Sequence, residues 1–270
     1  MLTKTSQTLT YLTAFLYFIL GILMFVLPER LAPLFAWKVT GFMTMTIGAW
    51  CLGNAFLSWI TARRWEWKLV YSTLIYLWLF GILETCVVIA FREKLNLEHP
   101  IAWLYLAALL VNDLTAIFGI FDWLRIRPAL ERFGLEMNGL AFSIVVVFIL
   151  FVGFLSIYGI IAKIGAFGTN GGIFPEVMSS FTLRSFAVFY LSLTLAMIPH
   201  IWDKNLNTLL HHSLASYGLV VIITLAAFAY LSLFNFAQRP GGLMYFGAYL
   251  AVGIPLPLAF RKFGTGTRKP

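Results

Sequence analysis

Apolar positions run along this chain in long unbroken blocks separated by short polar joints. A helix needs about 17 to 25 residues to cross roughly 30 Å of hydrocarbon. Blocks of that length lie at 8–27, 38–60, 68–91, 100–124, 139–163, 181–201, 209–235 and 243–261. They are continuous rather than alternating with period two, so the pattern predicts eight transmembrane helices and not the strands of a barrel.

The joints carry turn chemistry. Leu27-Pro28-Glu29-Arg30 ends the first block, Arg63-Arg64-Trp65-Glu66-Trp67-Lys68 separates the second from the third, and Glu98-His99-Pro100 opens the fourth. Proline in a first helical turn costs little, because its missing N–H has no intrahelical partner there. Short joints predict that consecutive helices run antiparallel.

Composition agrees with the pattern. The 270 residues are 61% hydrophobic and 11% charged, against roughly 25% charged in a soluble domain. Too few polar residues exist to coat a soluble globule, so lipid is the expected partner of most of the surface and an all-α integral membrane protein is the expected fold class.

The net charge of +8 follows topology. Lys4, Arg63, Arg64, Lys68, Arg125, Arg127, Arg132, Lys204, Arg261, Lys262, Arg268 and Lys269 fall on the side that holds the N-terminus and the even-numbered joints. Arg30, Lys38, Arg92, Lys94, Lys163 and Arg239 fall on the other. The positive-inside rule then places both termini in the cytoplasm, with the protein in the plasma or inner membrane. A basic balance explained in this way argues against nucleic acid as a partner. One lysine and no small-residue cleavage pattern around the first block predict that it is retained as a span.

The chain also repeats. Leu27-Pro28-Glu29 recurs as Phe174-Pro175-Glu176, Met45–Trp50 as Arg184–Phe189, and the stretch from Pro100 as that from Pro240, at offsets of about 140 residues. The reading is a tandem duplication of a four-helix unit, 1–130 and 131–270, joined by the polar stretch 125–138. Four spans return the chain to its starting side, so the repeats have the same orientation, related by an axis along the membrane normal.

Candidate chemistry is sparse. Glu84, Asn112 and Asp113 lie inside blocks of the first unit; adding 140 gives Thr224, Val252 and Gly253 in the second. A carboxylate in hydrocarbon costs at least about 2.5 kcal/mol, so such groups face protein or a wet cavity and often mark a path for protons or cations. Arg184, just inside the sixth block, is a candidate for headgroup or anion contact. His200, Asp203, His211 and His212 gather at one joint, but adjacent histidines point about 100° apart on a helix, and no metal is expected. Cys51 and Cys86 lack the Cys-x-x-Cys spacing of a redox pair and read as buried apolar residues. Trp37, Trp59, Trp65, Trp67, Trp103, Trp123 and Trp202 stand near block ends, as an interfacial belt does. No haem, nucleotide or acyl-transfer motif occurs, so no cofactor is expected and an enzyme is disfavoured. The expectation is small-solute or proton-linked transport through a polar cavity near Glu84 and Asp113, with an ion or small molecule as ligand. The alternative is a non-catalytic membrane scaffold or lipid-embedded interaction protein.

Overall fold

The computed structural model describes residues 2–129, 133–166, 173 and 175–266. Phe174 of the second proline motif, and Arg132, Arg268 and Lys269, lie outside the described residues. The described residues are helical with no β-strand beyond isolated bridges.

The long helices are α1 (Lys4–Val26), α2 (Gly41–Arg63), α3 (Trp67–Ala90), α4 (Pro100–Ile126), α5 (Gly139–Ile161), α6 (Ser180–Met197), α7 (Leu206–Ala229) and α8 (Gly242–Gly253), followed by α9 (Pro255–Phe263). A single turn at His200–Asp203 extends α6, and α9 continues α8 after a break at Pro255, where the ring removes a backbone donor. Side chains of Thr3, Thr40, Asn138, Ser179 and Asn205 accept N–H groups at the starts of α1, α2, α5, α6 and α7. Such N-caps satisfy donors that the first turn leaves orphaned.

Seven helical stretches are long and apolar enough to cross a membrane: Lys4–Val26, Trp67–Ala90, Pro100–Ile126, Gly139–Ile161, Ser180–Asp203, Leu206–Ala229 and Gly242–Phe263. They make this an all-α protein of membrane type, with apolar helix faces suited to lipid. The block expected at 38–60 forms α2, which has 23 residues, roughly 34 Å at 1.5 Å each, but is less apolar than the seven. Packing supplies the reason: α2 is sandwiched between α1 and α7, and its Thr44, Thr46, Asn54, Ser58 and Thr61 are all buried against protein. A helix surrounded by other helices has no need of an apolar outer face. At the other extreme, α5 buries only Val145, Val152, Ser156 and Gly159, one narrow stripe at near-heptad spacing.

Backbones approach closely where side chains vanish. A Cβ built on Gly21 of α1 would lie 2.7 Å from Leu52 N and 2.9 Å from Gly48 O of α2. One on Gly53 would lie 2.5 Å from a Leu219 methyl of α7, and one on Gly159 of α5 would lie 2.9 Å from the Ala187 methyl of α6. Small residues at crossings let helices touch where no hydrophobic force drives them together.

Adjacent helices in sequence are not always the closest in space. Contact between α2 and α3 is slight, whereas α3 packs extensively on α6 and α2 on α7. Lys68 O accepts from Thr208 Oγ1 at 2.9 Å, and one turn on, Ser72 Oγ and His212 Nδ1 are 3.1 Å apart. Both members of the pair advance together, so α3 and α7 run parallel.

The two ends of the bundle are distinct. Trp65 Nε1 donates to Leu2 O, Arg64 donates to Thr265 O, and Thr3 and Ser6 donate to Asp122, gathering both chain ends with the α2–α3 joint and the end of α4. At the opposite end Tyr230 donates to Glu29, Thr40 to Glu176, and Asn96 N to Ala36 O.

Candidate functional site

Glu84 is 3% exposed and points into protein, not away from it. It sits six residues before the end of α3, roughly 9 Å deep along the helix. Its Oε1 accepts from Tyr105 Oη on α4 and from Ser185 Oγ on α6, each at 2.8 Å. Its Oε2 is buried with no hydrogen-bond partner. Two hydroxyl donors offset much of the cost of burying this group, and the second oxygen keeps an unmet acceptor.

That carboxyl group lines a small internal cavity with about 20 Å³ open to the centre of a water molecule, slightly more than the ~10–15 Å³ that one water requires. Other walls include Tyr17 of α1, Trp37 of the joint before α2, Trp50, Cys51 and Asn54 of α2, Phe80 of α3, Tyr105 and Leu109 of α4, and Ser185 of α6. Helical spacing explains the convergence: Trp50 and Asn54 are four apart on α2, as Phe80 and Glu84 are on α3 and Tyr105 and Leu109 on α4, so each helix presents one stripe. Trp50 Nε1 and Asn54 Nδ2 are buried without partners, while Asn54 Oδ1 accepts from Tyr76 Oη at 2.6 Å. The Trp50 ring is fixed by stacking on Phe189 at 4.7 Å, with 6° between the planes.

Asn112 and Asp113 stand apart from this cavity. Asn112 Nδ2 donates to Tyr17 Oη and to Leu77 O, both at 3.2 Å. Asp113 is half-buried and accepts from Thr85 Oγ1 at 2.5 Å. Both close over Gly81, where an added Cβ would lie 2.9 Å from Asn112 Nδ2 and 3.0 Å from Asp113 Oδ1. Asn112 therefore reaches the cavity through Tyr17, whereas Asp113 serves the α3–α4 contact.

Arg184 spends its guanidinium on a helix end. Its Nη1 donates to Gly159 O at 2.6 Å and Ala162 O at 3.0 Å, and Nη2 to Ala162 O at 2.9 Å. These are last-turn carbonyls of α5, where unpaired acceptors and the helix dipole both favour a cation.

The polar group at the other end is divided. Tyr71 donates to Asp203 at 2.9 Å, His212 pairs with Ser72, and the His200 and His212 rings are 6.0 Å apart. His211 has neither ring nitrogen hydrogen-bonded, and Gly266 lies against its backbone. Among the described residues no three His, Cys, Asp or Glu are grouped to hold a metal ion.

Two readings of residue type need correction. Trp37, Trp65 and Trp67 are buried rather than interfacial, unlike Trp59, Trp103, Trp123 and Trp202, which are exposed. Trp37 stacks on Phe181 at 4.1 Å and donates to Thr182, because the joint before α2 folds inward against α6. Cys51 is buried as expected, but Cys86 is exposed on the outer face of α3.

Sequence reading missed Tyr105 and Ser185 as partners of Glu84, and Tyr17, Trp50 and Asn54 as its neighbours on the cavity. The available signal was that each is a polar-tipped residue inside an apolar block. Comparison with protein-family models, curated proteins and solved structures finds no match to this chain.

Proposed function

We propose that this chain is a proton-linked membrane carrier whose protonatable centre is Glu84. The observation that carries this reading is Glu84, buried among helices with its Oε2 unpartnered and lining a cavity with Trp50, Asn54, Tyr105 and Ser185. A carboxyl group held deep among helices, half satisfied and beside a space of water size, suits the uptake and release of a proton. The size of that space favours a proton over a larger solute.

The reading extends to architecture. Eight crossings, including α2, are supported by the chain ends meeting at one end of the bundle and by α2 running from the Thr40 end to the Arg64 end. A duplication into 1–130 and 131–270 is supported by boundaries that recur 139 residues apart: Gly41 with Ser180, Trp67 with Leu206, Ala90 with Ala229, and the short turns Arg92–Lys94 with Leu231–Leu233. Gly21 and Gly48 at one crossing answer to Gly159 and Ala187 at another. The pairs Trp50–Phe189, 139 apart, and Lys68–Thr208 and Ser72–His212, each 140 apart, touch across the halves within one residue of that offset, as near-equivalent residues beside a two-fold axis do. Parallel α3 and α7 favour an axis along the helices. The basic excess at the end holding both termini favours that end as cytoplasmic, in a plasma or inner membrane.

A scaffold is the second reading, favoured by Asp113, which bonds Thr85 and leaves the cavity with a single acid. The test is proton flux into vesicles containing the purified protein and a trapped pH dye. A carrier gives flux that Glu84→Gln abolishes with unchanged folded yield. A scaffold gives none in the wild type, and Glu84→Gln is then neutral or mildly stabilising.

A further inference from the structure

Helices α5 and α8 stand apart, making slight contact at most, whereas α1 packs extensively on α4. The closed pair is tied by Thr13 Oγ1 and Thr115 Oγ1 at 2.9 Å, and by Asn112 Nδ2 donating to Tyr17 Oη at 3.2 Å. Under the duplication proposed above Gly159 answers to Gly21, so Phe151 stands where Thr13 does and Leu155 where Tyr17 does. Neither can make the hydrogen bond that closes the first half.

A cleft lies between them. Phe151 and Leu155 of α5, Phe186 and Tyr190 of α6, and Tyr245 and Tyr249 of α8 line a space with about 90 Å³ open to the centre of a water molecule. Phe186 and Tyr245 are 2% and 5% exposed, whereas Phe151 and Met244, which also line it, are 39% and 51% exposed. The first two are its floor and the last two its mouth, which opens sideways between α5 and α8. Beyond the cleft, Ile173 of the α5–α6 joint borders a second space of about 140 Å³, whose walls include Asn235, Gln238 and Arg239 in the joint before α8. An apolar space thus adjoins a polar, basic one.

We propose that the cleft between α5 and α8 binds one chain of an anionic phospholipid, whose phosphate sits beside Arg239. The two spaces select an amphiphile: a soluble anion has no chain for the first, and an uncharged chain makes no use of the cation in the second. A helix of another copy, about 10 Å across with its side chains, is too thick for the cleft. A guanidinium has five donors, so Arg239 can serve a phosphate and a protein partner together. In a bilayer, lipid chains stand at the mouth, and basic pockets between transmembrane helices are a known seat for acidic headgroups. Only the comparison with α1 and α4 rests on the duplication; the cleft and its basic neighbour do not, and neither depends on proton carriage.

The test uses the full chain in vesicles doped with phosphatidylglycerol or phosphatidylcholine carrying a photoreactive diazirine midway along one chain. The two probes share their chains and differ in headgroup charge. Labelling should concentrate on the peptides holding Leu155 and Ala248, which line the cleft. It should be roughly fivefold stronger from phosphatidylglycerol, the ratio for about 1 kcal/mol per basic residue. Arg239→Gln should bring the two lipids level. Ala248→Trp, which adds bulk inside the cleft, should remove the labelling there and leave that on the exposed Phe15 and Phe18 of α1. Met244→Trp, at the exposed mouth, makes the same check if Ala248→Trp does not fold. Equal labelling by both lipids in the wild type, labelling no denser in the cleft than on α1, or labelling that survives the folded tryptophan variant overturns the proposal. A face covered by a second copy would show as a dimer whose cleft neither lipid labels, and overturns it as well. Labelling is read without any flux, so the carrier can fail and the lipid site stand.

Discussion

Ser72 and His212 stand 140 residues apart and meet at 3.1 Å where α3 packs on α7. Lys68 and Thr208, also 140 apart, meet one turn away. A constant difference in residue number is the mark of parallel helices in register; antiparallel helices would show a constant sum.

This register predicts a cross-linking pattern. In a background with Cys51 and Cys86 replaced by serine, a short bismaleimide should join Ser72→Cys to His212→Cys and Lys68→Cys to Thr208→Cys. Lys68→Cys with Ser216→Cys is the antiparallel control and should remain unjoined. Efficient linkage of the control would refute the parallel pairing.

Topology is checked by accessibility. Glu98→Cys and Arg127→Cys lie in joints at opposite ends of α4, so a membrane-impermeant thiol reagent applied to sealed vesicles should label one and spare the other. Labelling of both from the same side would show that α4 does not cross.

The crossing of α1 and α2 leaves no room for a side chain. Gly21→Val should destabilise the protein by about 1–3 kcal/mol or more, the usual cost of overpacking, since the nearest atoms to an added Cβ include the backbone of Leu52 and Gly48. Gly247→Ala, at a position where an added Cβ meets nothing within 4 Å, is the matched control and should leave the thermal midpoint in detergent unchanged.

Arg184→Ala should free the end of α5. Three charge-assisted bonds to Gly159 and Ala162 are lost, and a cost of about 1–3 kcal/mol is expected. Hydrogen exchange should rise at the last turn of α5 before it rises in α2, and Arg184→Lys should recover part of the loss. Unchanged exchange at that turn would show that the cap contributes nothing.

Tyr230, in the joint after α7, has its phenol pushed above the ordinary 10.0 by burial, by its hydrogen bond to Glu29, and by the charges of Glu29 and Glu176. The folded state thus holds the proton more tightly than the unfolded chain. The stabilisation is complete below pH 10.0 and fades as pH rises beyond it. Thermal midpoints should fall more steeply above that pH in wild type than in Tyr230→Phe, and parallel curves would contradict the assignment.

Length and apolarity, which need only residue order, determined the class and the helices. The long apolar blocks became helices, though that at 209–235 stops at Ala229 and that at 243–261 breaks at Pro255, because a segment that must satisfy its backbone away from water has few options other than a helix. The sequence also marked Glu84 as the residue to explain, since an isolated carboxylate in such a block demands a partner. Which partner was decided only by tertiary structure: Tyr105 lies 21 residues from Glu84 and Ser185 lies 101 away, and no local pattern encodes a contact between α3 and α6. Asp113 looked equivalent to Glu84 in sequence and was separated from it by helix rotation, which turns it toward Thr85. Arg184 looked like a headgroup contact until the end of α5 arrived beside it. Burial likewise fell to packing: Trp37 and Trp103 share a residue type and a place near a block end, yet one fills the core and the other faces outward, because only the first has α6 folded over it.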